Sequence, residues 1–324
     1  MTNIKEIKSA NKRLKGFVRE TPILNSPFLD EIAGRKVFVK AECLQHTGSF
    51  KFRGGWSAIS AIKHDERNNG VLAISSGNHA QGVAYAAKSF GIKSVIIMPE
   101  DAPTLKIDNT RKMGAEVILY DRLREDREAI GLKVSEERGL TQIKPYDEPL
   151  VIAGQGTCGL EIAIQSKMLN ISEADVIVCC GGGGLTSGIA LALESEAPKL
   201  KVRTAEPEKF NDVALSLENG KITRNNSLTG SICDAILTPE PGKLTFPIMN
   251  RLCGSGLTVS DDECLNAMYL AFLRLKLVLE PGGAAALAAA LFRSDQIKGD
   301  SVLVVATGGN VDTKVFSQAI KNYM

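Results

Sequence analysis

The segment around Lys51 combines a lysine with neighbours that favour a reactive amine. Lys51 stands between Phe50 and Phe52 in the glycine-containing segment 47–54. Apolar neighbours withdraw an ammonium group from water, and this favours the neutral amine, which is the nucleophilic form. A single lysine of this kind is most often an ordinary surface residue, so its interpretation depends on three further segments.

A run of four glycines follows the apolar segment 175–180. The run consists of Gly181, Gly182, Gly183 and Gly184. Backbone N–H groups in such a loop can converge on an anion, and a helix beginning near Leu185 would add its positive N-terminal dipole. The third glycine of a dinucleotide-binding fingerprint is replaced by Thr186, which weakens that interpretation. The run therefore predicts a phosphate-binding loop, with a tight turn that binds no ligand as the alternative.

Two other segments place small and polar residues directly after apolar runs. The first, 75–80, contains Ser76 and Asn78, and the second, 307–310, begins with Thr307. Serine and asparagine are favoured residues at the start of a helix. Backbone N–H groups at a strand-to-helix junction can hold a carboxylate, so the first segment predicts a second anion site.

These four segments, in this order, resemble those of the fold-type II pyridoxal-phosphate (PLP) enzymes. The resemblance is greatest to the serine/threonine dehydratase and serine racemase branch, and it extends over about 21–310. It implies a two-lobed α/β fold of the tryptophan synthase β type, with parallel twisted sheets flanked by helices and the cofactor between the lobes. Residues 1–47 and 144–324 would form the large PLP-binding domain, and residues 48–143 the small α/β domain.

The resemblance also implies roles for individual residues. Lys51 would carry the cofactor as a Schiff base and remove the substrate α-proton, and Ser76 would face the opposite side of the ring. Asn78 would hydrogen-bond the cofactor 3′-oxygen. Thr307, where the family usually has serine or cysteine, would offer a neutral hydroxyl to the pyridine nitrogen. The implied cofactor-binding residues are Phe50, Lys51, Asn78, Gly181, Gly182, Gly183, Gly184, Leu185, Glu280 and Thr307.

An acidic segment after residue 205 resembles the divalent-cation site of the same family. By position, Glu206, the backbone carbonyl of Phe210 and Asp212 would coordinate Mg²⁺ or Ca²⁺. Hard oxygen ligands suit both ions. Phe210 replaces a small residue of the family pattern, and the alternative interpretation is a solvated acidic loop.

The function implied is a PLP-dependent dehydratase, also called an ammonia-lyase. It would convert a small β-hydroxy amino acid of the L-serine or L-threonine type to a 2-oxo acid and ammonia. An amino-acid racemase shares every motif and stays open. A 3-hydroxyaspartate dehydratase also stays open, since His46 or Arg127 could supply the additional cation that this substrate needs.

Two other functions are disfavoured. Synthases of the cysteine synthase kind typically carry T-S-G-N-T-G, where segment 75–80 of this chain reads S-S-G-N-H-A. A non-catalytic PLP-binding protein would not need the intact Lys51 together with the complete set of site motifs.

Bulk composition excludes several kinds of partner. A chain of 324 residues with 44% hydrophobic residues is long enough for two lobes, and its net charge of +2 gives no case for nucleic acid or an anionic membrane. The sequence contains neither an apolar run of about 18 residues nor an N-terminal signal segment, so we expect a cytoplasmic location. Seven scattered cysteines without a C-x-x-C pair argue against disulfides or zinc. The family resemblance implies a homodimer or higher homo-oligomer that acts on a small amino acid.

Strand-like and helix-like segments alternate along the chain, which indicates parallel sheets flanked by helices. Strands are predicted at about 37–40, 71–75, 94–99, 116–120, 175–180, 201–205 and 301–306. Helices are predicted at about 78–90, 103–113, 151–165, 261–277 and 282–292, with a charged helix that ends near 138.

Overall fold

The computed structural model describes residues 2–102, 104–227 and 229–324, and its strands form two separate sheets. The strands are β1 Ile23–Asn25, β2 Lys36–Lys40, β3 Val71–Ile74, β4 Ser94–Pro99, β5 Glu116–Tyr120, β6 Thr141–Gln142, β7 Ala174–Cys179, β8 Leu200–Pro207, β9 Leu257–Val259 and β10 Ser301–Val305. The α-helices are α1 Ile4–Leu14, α2 Pro27–Ala33, α3 Lys51–Ser60, α4 Asn78–Ser89, α5 Thr104–Lys112, α6 Arg127–Arg138, α7 Pro149–Met168, α8 Gly184–Glu196, α9 Asp212–Asn219, α10 Thr245–Leu252, α11 Asp261–Leu270, α12 Pro281–Phe292 and α13 Thr313–Tyr323.

The smaller sheet has the order β5-β4-β3-β6, and all its neighbouring strands are parallel. Strand β4 is buried along its whole length, and its apolar residues form an uninterrupted run. Such runs are typical of parallel strands that are covered on both faces. Helix α4 packs on β4 and helix α6 packs on β3.

The larger sheet has the order β1-β2-β10-β7-β8-β9. Its strands are parallel except for β1, which pairs with β2 in the antiparallel direction. Helix α12 packs on β7, β8 and β10. Its residues from Pro281 to Leu291 are all buried, as expected for a helix whose apolar residues cover every side.

The four segments that predict chemistry all follow the carboxyl ends of parallel strands. Lys51 follows β2 by way of the loop 41–50, and the segment 75–80 follows β3. The glycine run follows β7 and Thr307 follows β10. Ligand sites in parallel α/β sheets lie at these strand ends, so the topology positions all four segments for one site.

The predicted α/β fold with parallel sheets and flanking helices is confirmed. The domain boundaries at 47/48 and 143/144 stay a prediction. The helix predicted at 103–113 corresponds to α5, although Pro103 itself lies outside the described residues. No helix in the described part of the chain is long and apolar enough to cross a membrane.

One predicted helix is shorter than expected. Instead of a continuous helix over 261–277, α11 ends at Leu270 and continues as a π-helical turn, Ala271–Leu275. Lys276 then has a φ of 60°, and Leu277 donates its N–H to the carbonyl of Ala271. A left-handed residue with this backward hydrogen bond terminates a helix, even without the glycine that usually occupies the position.

Candidate active site

A cavity of about 230 Å³ is lined by all four segments. Its wall includes every residue that the sequence predicts to be catalytic or cofactor-binding. These residues are Phe50, Lys51, Ser76, Asn78, Gly181, Gly182, Gly183, Gly184, Leu185, Glu280 and Thr307. The structure therefore brings together residues that are up to 257 positions apart in the chain, from Phe50 to Thr307. Their individual roles stay predictions.

The position of Lys51 is fixed by the turn that follows β10. Lys51 is the first residue of α3, and Phe50, directly before it, donates its N–H to the carbonyl of Thr307 at 3.1 Å. Gly309 donates its N–H to the carbonyl of Gly48 at 2.9 Å. The lysine loop and the turn after β10 are thus held against each other by their backbones.

Asn310 connects the lysine loop to Asn78. Its Nδ2 donates to the carbonyl of Thr47 at 2.7 Å and to Oδ1 of Asn78 at 2.7 Å. Thr47 has a φ of 61°, a left-handed conformation that costs a non-glycine residue about 1–3 kcal/mol. Asn78 in turn donates its Nδ2 to Oε1 of Glu280 at 2.5 Å. Because Asn310 engages the amide oxygen, the amide nitrogen of Asn78 is directed towards Glu280.

The amine of Lys51 lies in surroundings that favour loss of its proton. Its Nζ donates a hydrogen bond to the carbonyl of Pro145 at 2.7 Å. Burial lowers the pKa of Lys51 to about 8, although the negative charge of Glu280 opposes the shift. With this pKa about one amine in ten is neutral at pH 7, far more than for an exposed lysine.

His79 adds a neutral group to the same wall. Its Nε2 lies 2.8 Å from the carbonyl of Ile143, so Nε2 carries the proton, and burial together with the charge of Lys51 lowers the pKa of His79 to about 3. The other ring nitrogen, Nδ1, is buried and has no hydrogen-bond partner among the described residues. His79 is therefore neutral and adds no positive charge to the site.

The glycine loop is shaped for an anion. Gly183 has a φ of 89°, and a Cβ on Gly182 would overlap the ring of Tyr146. The carbonyl of Gly182 accepts a hydrogen bond from Oγ1 of Thr245 at 2.6 Å, which anchors the loop without using its N–H groups. Helix α8 begins directly after Gly183, and the N–H groups of its first turn have no intrahelical acceptor. These donors are the kind that bind phosphate.

Glu280 and Thr307 complete the polar wall. Burial raises the pKa of Glu280 to about 7, while its hydrogen bond from Asn78 opposes the shift. Thr307 is buried and carries a neutral hydroxyl. A lysine amine, an anion-binding loop, an oriented amide and a neutral hydroxyl around one cavity are the donor set that PLP requires. The residues present therefore fit that cofactor.

The predicted metal ligands lie outside this cavity, at the end of β8. Glu206 is fully buried, and its two oxygens accept the N–H groups of Val213 at 2.9 Å and Ala214 at 2.7 Å. Asp212 accepts a hydrogen bond from Asn225 at 2.6 Å through Oδ1, and its Oδ2 is buried without a partner among the described residues. Burial raises the pKa of Asp212 to about 7, and burial with the nearby charge of Asp212 raises the pKa of Glu206.

These two carboxylates do not by themselves make a metal centre. Phe210 is also buried, and only its backbone carbonyl would serve as a ligand. No three His, Cys, Asp or Glu side chains within residues 2–102, 104–227 and 229–324 come together as a metal site. The ion predicted from the family resemblance therefore stays a proposal.

The two cations considered for a dicarboxylic substrate are placed differently. Arg127 lines the cavity from the start of α6. His46 is not part of the cavity wall; its ring stacks on Tyr85 with 5.8 Å between centroids and lies edge-on to Phe52 at 4.9 Å.

Sequence reasoning missed Lys106 and Tyr146, which also line the cavity. No local pattern marks either residue, because the packing of distant elements brings both to the cavity.

Comparisons with known proteins identify the family of the chain. A family model described as "pyridoxal-phosphate dependent enzyme" matches residues 14–308. An L-threo-3-hydroxyaspartate ammonia-lyase from Pseudomonas sp is 41% identical over 321 residues, which cover 99% of this chain and 99% of that protein. A serine racemase from Schizosaccharomyces pombe is 40% identical over 312 residues, which cover 96% and 95% respectively. The crystal structure of a threonine deaminase from T.th. has a TM-score of 0.90 at 40% identity, covering 96% of this chain and 99% of that one.

The chain therefore belongs to the family of pyridoxal-phosphate dependent enzymes. The resemblance predicted from the four segments is confirmed, and so is the dependence on PLP. The relatives include two ammonia-lyases named for hydroxyaspartate and one named for threonine, as well as serine racemases, so the branch predicted from the sequence is confirmed too.

Proposed function

We propose that this chain is a PLP-dependent ammonia-lyase that converts a small β-hydroxy amino acid to a 2-oxo acid and ammonia. The observation that supports it most is the amine of Lys51, with its pKa lowered to about 8, in one cavity with the glycine loop and the segment 75–80. Bound PLP supplies an electron-withdrawing ring that stabilises negative charge at the substrate α-carbon.

Lys51 is the group that holds the cofactor and moves the α-proton. Its neutral amine would hold the cofactor, and the same amine would serve as a general base towards the substrate α-proton. The carbonyl of Pro145, at 2.7 Å, gives the resulting ammonium an acceptor inside the cavity. This contact holds Nζ in place while it carries a proton.

The segment 75–80 orients the substrate through its α-carboxylate. Oγ of Ser75 already accepts the N–H of Gly77 at 3.2 Å, which rigidifies the turn. Helix α4 begins at Asn78, and the N–H groups of its first turn lack intrahelical acceptors. A carboxylate at this helix start is stabilised by those donors and by the helix dipole.

Product analysis across a panel of substrates tests the proposal. We expect the holoenzyme to release equal amounts of 2-oxo acid and ammonia from at least one of L-serine, L-threonine and 3-hydroxyaspartate. Lys51→Ala serves as the inactive control. Release from none of the three substrates would contradict the proposed function.

A racemase is the second candidate, because Ser76 lines the same cavity as Lys51. Inversion at the α-carbon needs a proton-transfer group on each face of the cofactor, and Ser76 is the group proposed for the second face. Ser76→Ala should lower D-serine elimination and L-to-D conversion by about 100-fold, the usual effect of removing a general acid–base group. Elimination from L-serine should survive in part. Unchanged D-serine chemistry in this variant would exclude Ser76 from that role.

We further propose that Glu206, the carbonyl of Phe210 and Asp212 bind Mg²⁺ or Ca²⁺. Two buried carboxylates with raised pKa values are stabilised by a divalent cation, which compensates their mutual repulsion. Added Mg²⁺ or Ca²⁺ should raise the melting temperature at pH 8, and Asp212→Asn should remove that increase. An equal increase in Asp212→Asn would show that the cation binds elsewhere.

Two proposals about organisation rest on the family resemblance. Residues 1–47 and 144–324 would form the large domain and 48–143 the small one, and limited proteolysis within 48–143 would test this division. The chain would also assemble as a homodimer or higher homo-oligomer, which light scattering measures directly. A monomer at working concentration would contradict the second proposal.

A further inference from the structure

The cavity contains two cationic side chains that the proposed reaction does not use, Lys106 and Arg127. Its charged side chains are Lys51, Lys106, Arg127, Asp234 and Glu280. The lysine amine acts on the cofactor and the α-proton, while the glycine loop and the segment 75–80 hold the phosphate and the α-carboxylate. A monocarboxylic substrate such as threonine therefore leaves both Lys106 and Arg127 without a chemical task.

Lys106 reaches the cavity from the first turn of α5. Its side chain is only 22% exposed, and its Nζ lies 3.5 Å from Oδ2 of Asp234, whose side chain is 66% exposed. A distance at the limit of a hydrogen bond and an exposed partner make this a weak ion pair. The ammonium of Lys106 can exchange Asp234 for another carboxylate at little cost.

The positive charge of Lys106 also acts on Glu280 in the wall of the cavity. Burial raises the pKa of Glu280 to about 7, and the positive charge of Lys106 opposes that increase. Glu280 also accepts the hydrogen bond from Asn78. Lys106 thus lies within electrostatic reach of groups that surround the cofactor position.

Lys106 is better suited to this task than Arg127. The Arg127 side chain is 53% exposed, and its Nε lies 3.5 Å from Oε1 of the neighbouring Glu128. A half-exposed guanidinium keeps most of its hydration, so its attraction for an additional carboxylate is screened. The largely buried ammonium of Lys106 loses less on binding a carboxylate and gains more.

We propose that Lys106 binds the distal carboxylate of a four-carbon, β-hydroxy dicarboxylic amino acid, of which 3-hydroxyaspartate is the simplest, in exchange for Asp234. This inference rests on the proposed function and names its substrate class. The substrate carries a carboxylate where threonine carries a methyl group, and a buried carboxylate requires a charged partner. A methyl group in the same place offers nothing to the ammonium, which then stays with Asp234.

The ratio of kcat/KM for 3-hydroxyaspartate to kcat/KM for L-threonine tests the inference in the holoenzyme. Lys106→Met keeps the length of the side chain and removes its charge, and it should lower this ratio by about 100-fold, mainly through a higher KM for the dicarboxylate. Asp234→Asn should raise the ratio several-fold, because it removes the competing carboxylate. Lys112→Met, at the exposed end of the same helix, is the matched control and should leave the ratio unchanged.

A binding measurement separates this inference from the proposed function. Succinate, an unreactive four-carbon dicarboxylate, should raise the melting temperature of the holoenzyme and of Lys112→Met but not of Lys106→Met. If L-threonine is converted but Lys106→Met leaves the ratio and the succinate effect unchanged, the inference is overturned and the proposed function stands. If no amino acid is converted while the succinate effect still requires Lys106, the proposed function fails and the dicarboxylate site stands. A lower ratio in Asp234→Asn would overturn the exchange between the two carboxylates.

Discussion

Lys51 and Arg53 are two residues apart at the start of α3, yet within the residues that the structure describes Arg53 has acidic partners and Lys51 has none within hydrogen-bond distance. Arg53 is fully buried and donates to Oε2 of Glu42 at 2.8 Å and to Oε1 of Glu161 at 2.7 Å. Lys40 donates to the other oxygen of Glu161 at 2.6 Å. The amine of Lys51 instead has a single backbone carbonyl as its acceptor among the described residues.

The proton affinities follow from this difference. Burial alone would lower the pKa of Arg53, but the two glutamates raise it well above the ordinary value. Burial lowers the pKa of Lys51 to about 8, because Glu280 opposes it only in part. A buried base with matched acids joins the start of α3 to the turn after β2 and to α7, whereas a buried base without them is available for chemistry. The chain thus places its stabilising charges directly beside its reactive one.

Replacement of the reactive base should have the largest effect on turnover. Lys51→Ala should lower kcat by at least about 1,000-fold, as expected for removal of a group that acts in every step. The free energy of unfolding of the cofactor-free protein should not fall, since burial of an ammonium group with a lowered pKa opposes folding at neutral pH. Product release and urea denaturation measure the two quantities. A large loss of stability would place Lys51 in the same class as Arg53.

Replacement of Arg53, the base with matched acids, should affect mainly the stability of the protein. Arg53→Met leaves Glu42 buried without its main partner and should lower the free energy of unfolding by about 3–5 kcal/mol. The exposed pair of Lys63 and Glu66 supplies a control, because Lys63→Met should change stability by less than about 1 kcal/mol. Arg53→Lys keeps the charge and should lose less, which provides a folded variant for kinetics. Equal stability in the Met variants of residues 53 and 63 would remove the contrast between the two regions.

The amide orientation set by Asn310 can be reversed by one atom. In Asn310→Asp the new carboxylate can only accept, so it should attract the nitrogen of the Asn78 amide and turn its oxygen towards Glu280. We expect kcat/KM to fall about 10-fold, the effect of one buried hydrogen bond left unmade, and the absorbance maximum of the bound cofactor to shift. Asn322→Asp, on the exposed face of α13, is the control. An unchanged spectrum in Asn310→Asp would show that this amide does not contact the cofactor.

The pH dependence of cofactor capture measures the pKa of Lys51 directly. The neutral amine is the reactive form, so the rate at which cofactor-free protein captures PLP should rise with pH and level off above about 8. Below that pH the rate should change about tenfold per pH unit. A rate that continues to rise to pH 10 would indicate an ordinary, solvated lysine.

The sequence predicts the main strands of both sheets because parallel strands are continuous apolar runs bounded by turns. The edge strands β1, β6 and β9 were missed, since two or three residues carry no periodic signal. The end of α11 was also missed, because Lys276 adopts a left-handed conformation without glycine. These features depend on packing against distant segments.

In the candidate site, too, some residues are evident from local sequence patterns and others only from the fold. Glycine-rich segments after apolar runs are local patterns, so the sequence shows Lys51, Asn78 and the glycine loop. Asn310 stands within a motif that the sequence displays, but its contacts with Thr47 and Asn78 span more than 230 residues and leave no local trace. Lys106 resembles any other lysine of a charged helix until α5 is placed beside the cavity.

The attachment site of the cofactor is the most direct test of the role given to Lys51. The protein would be incubated with PLP, reduced with sodium borohydride, digested and mapped by mass spectrometry. We expect the phosphopyridoxyl group on the peptide that contains Lys51, and we expect excess L-serine added before reduction to decrease the labelling. Stoichiometric labelling of a different lysine, with Lys51 unmodified, would contradict the assignment on which the proposed function rests.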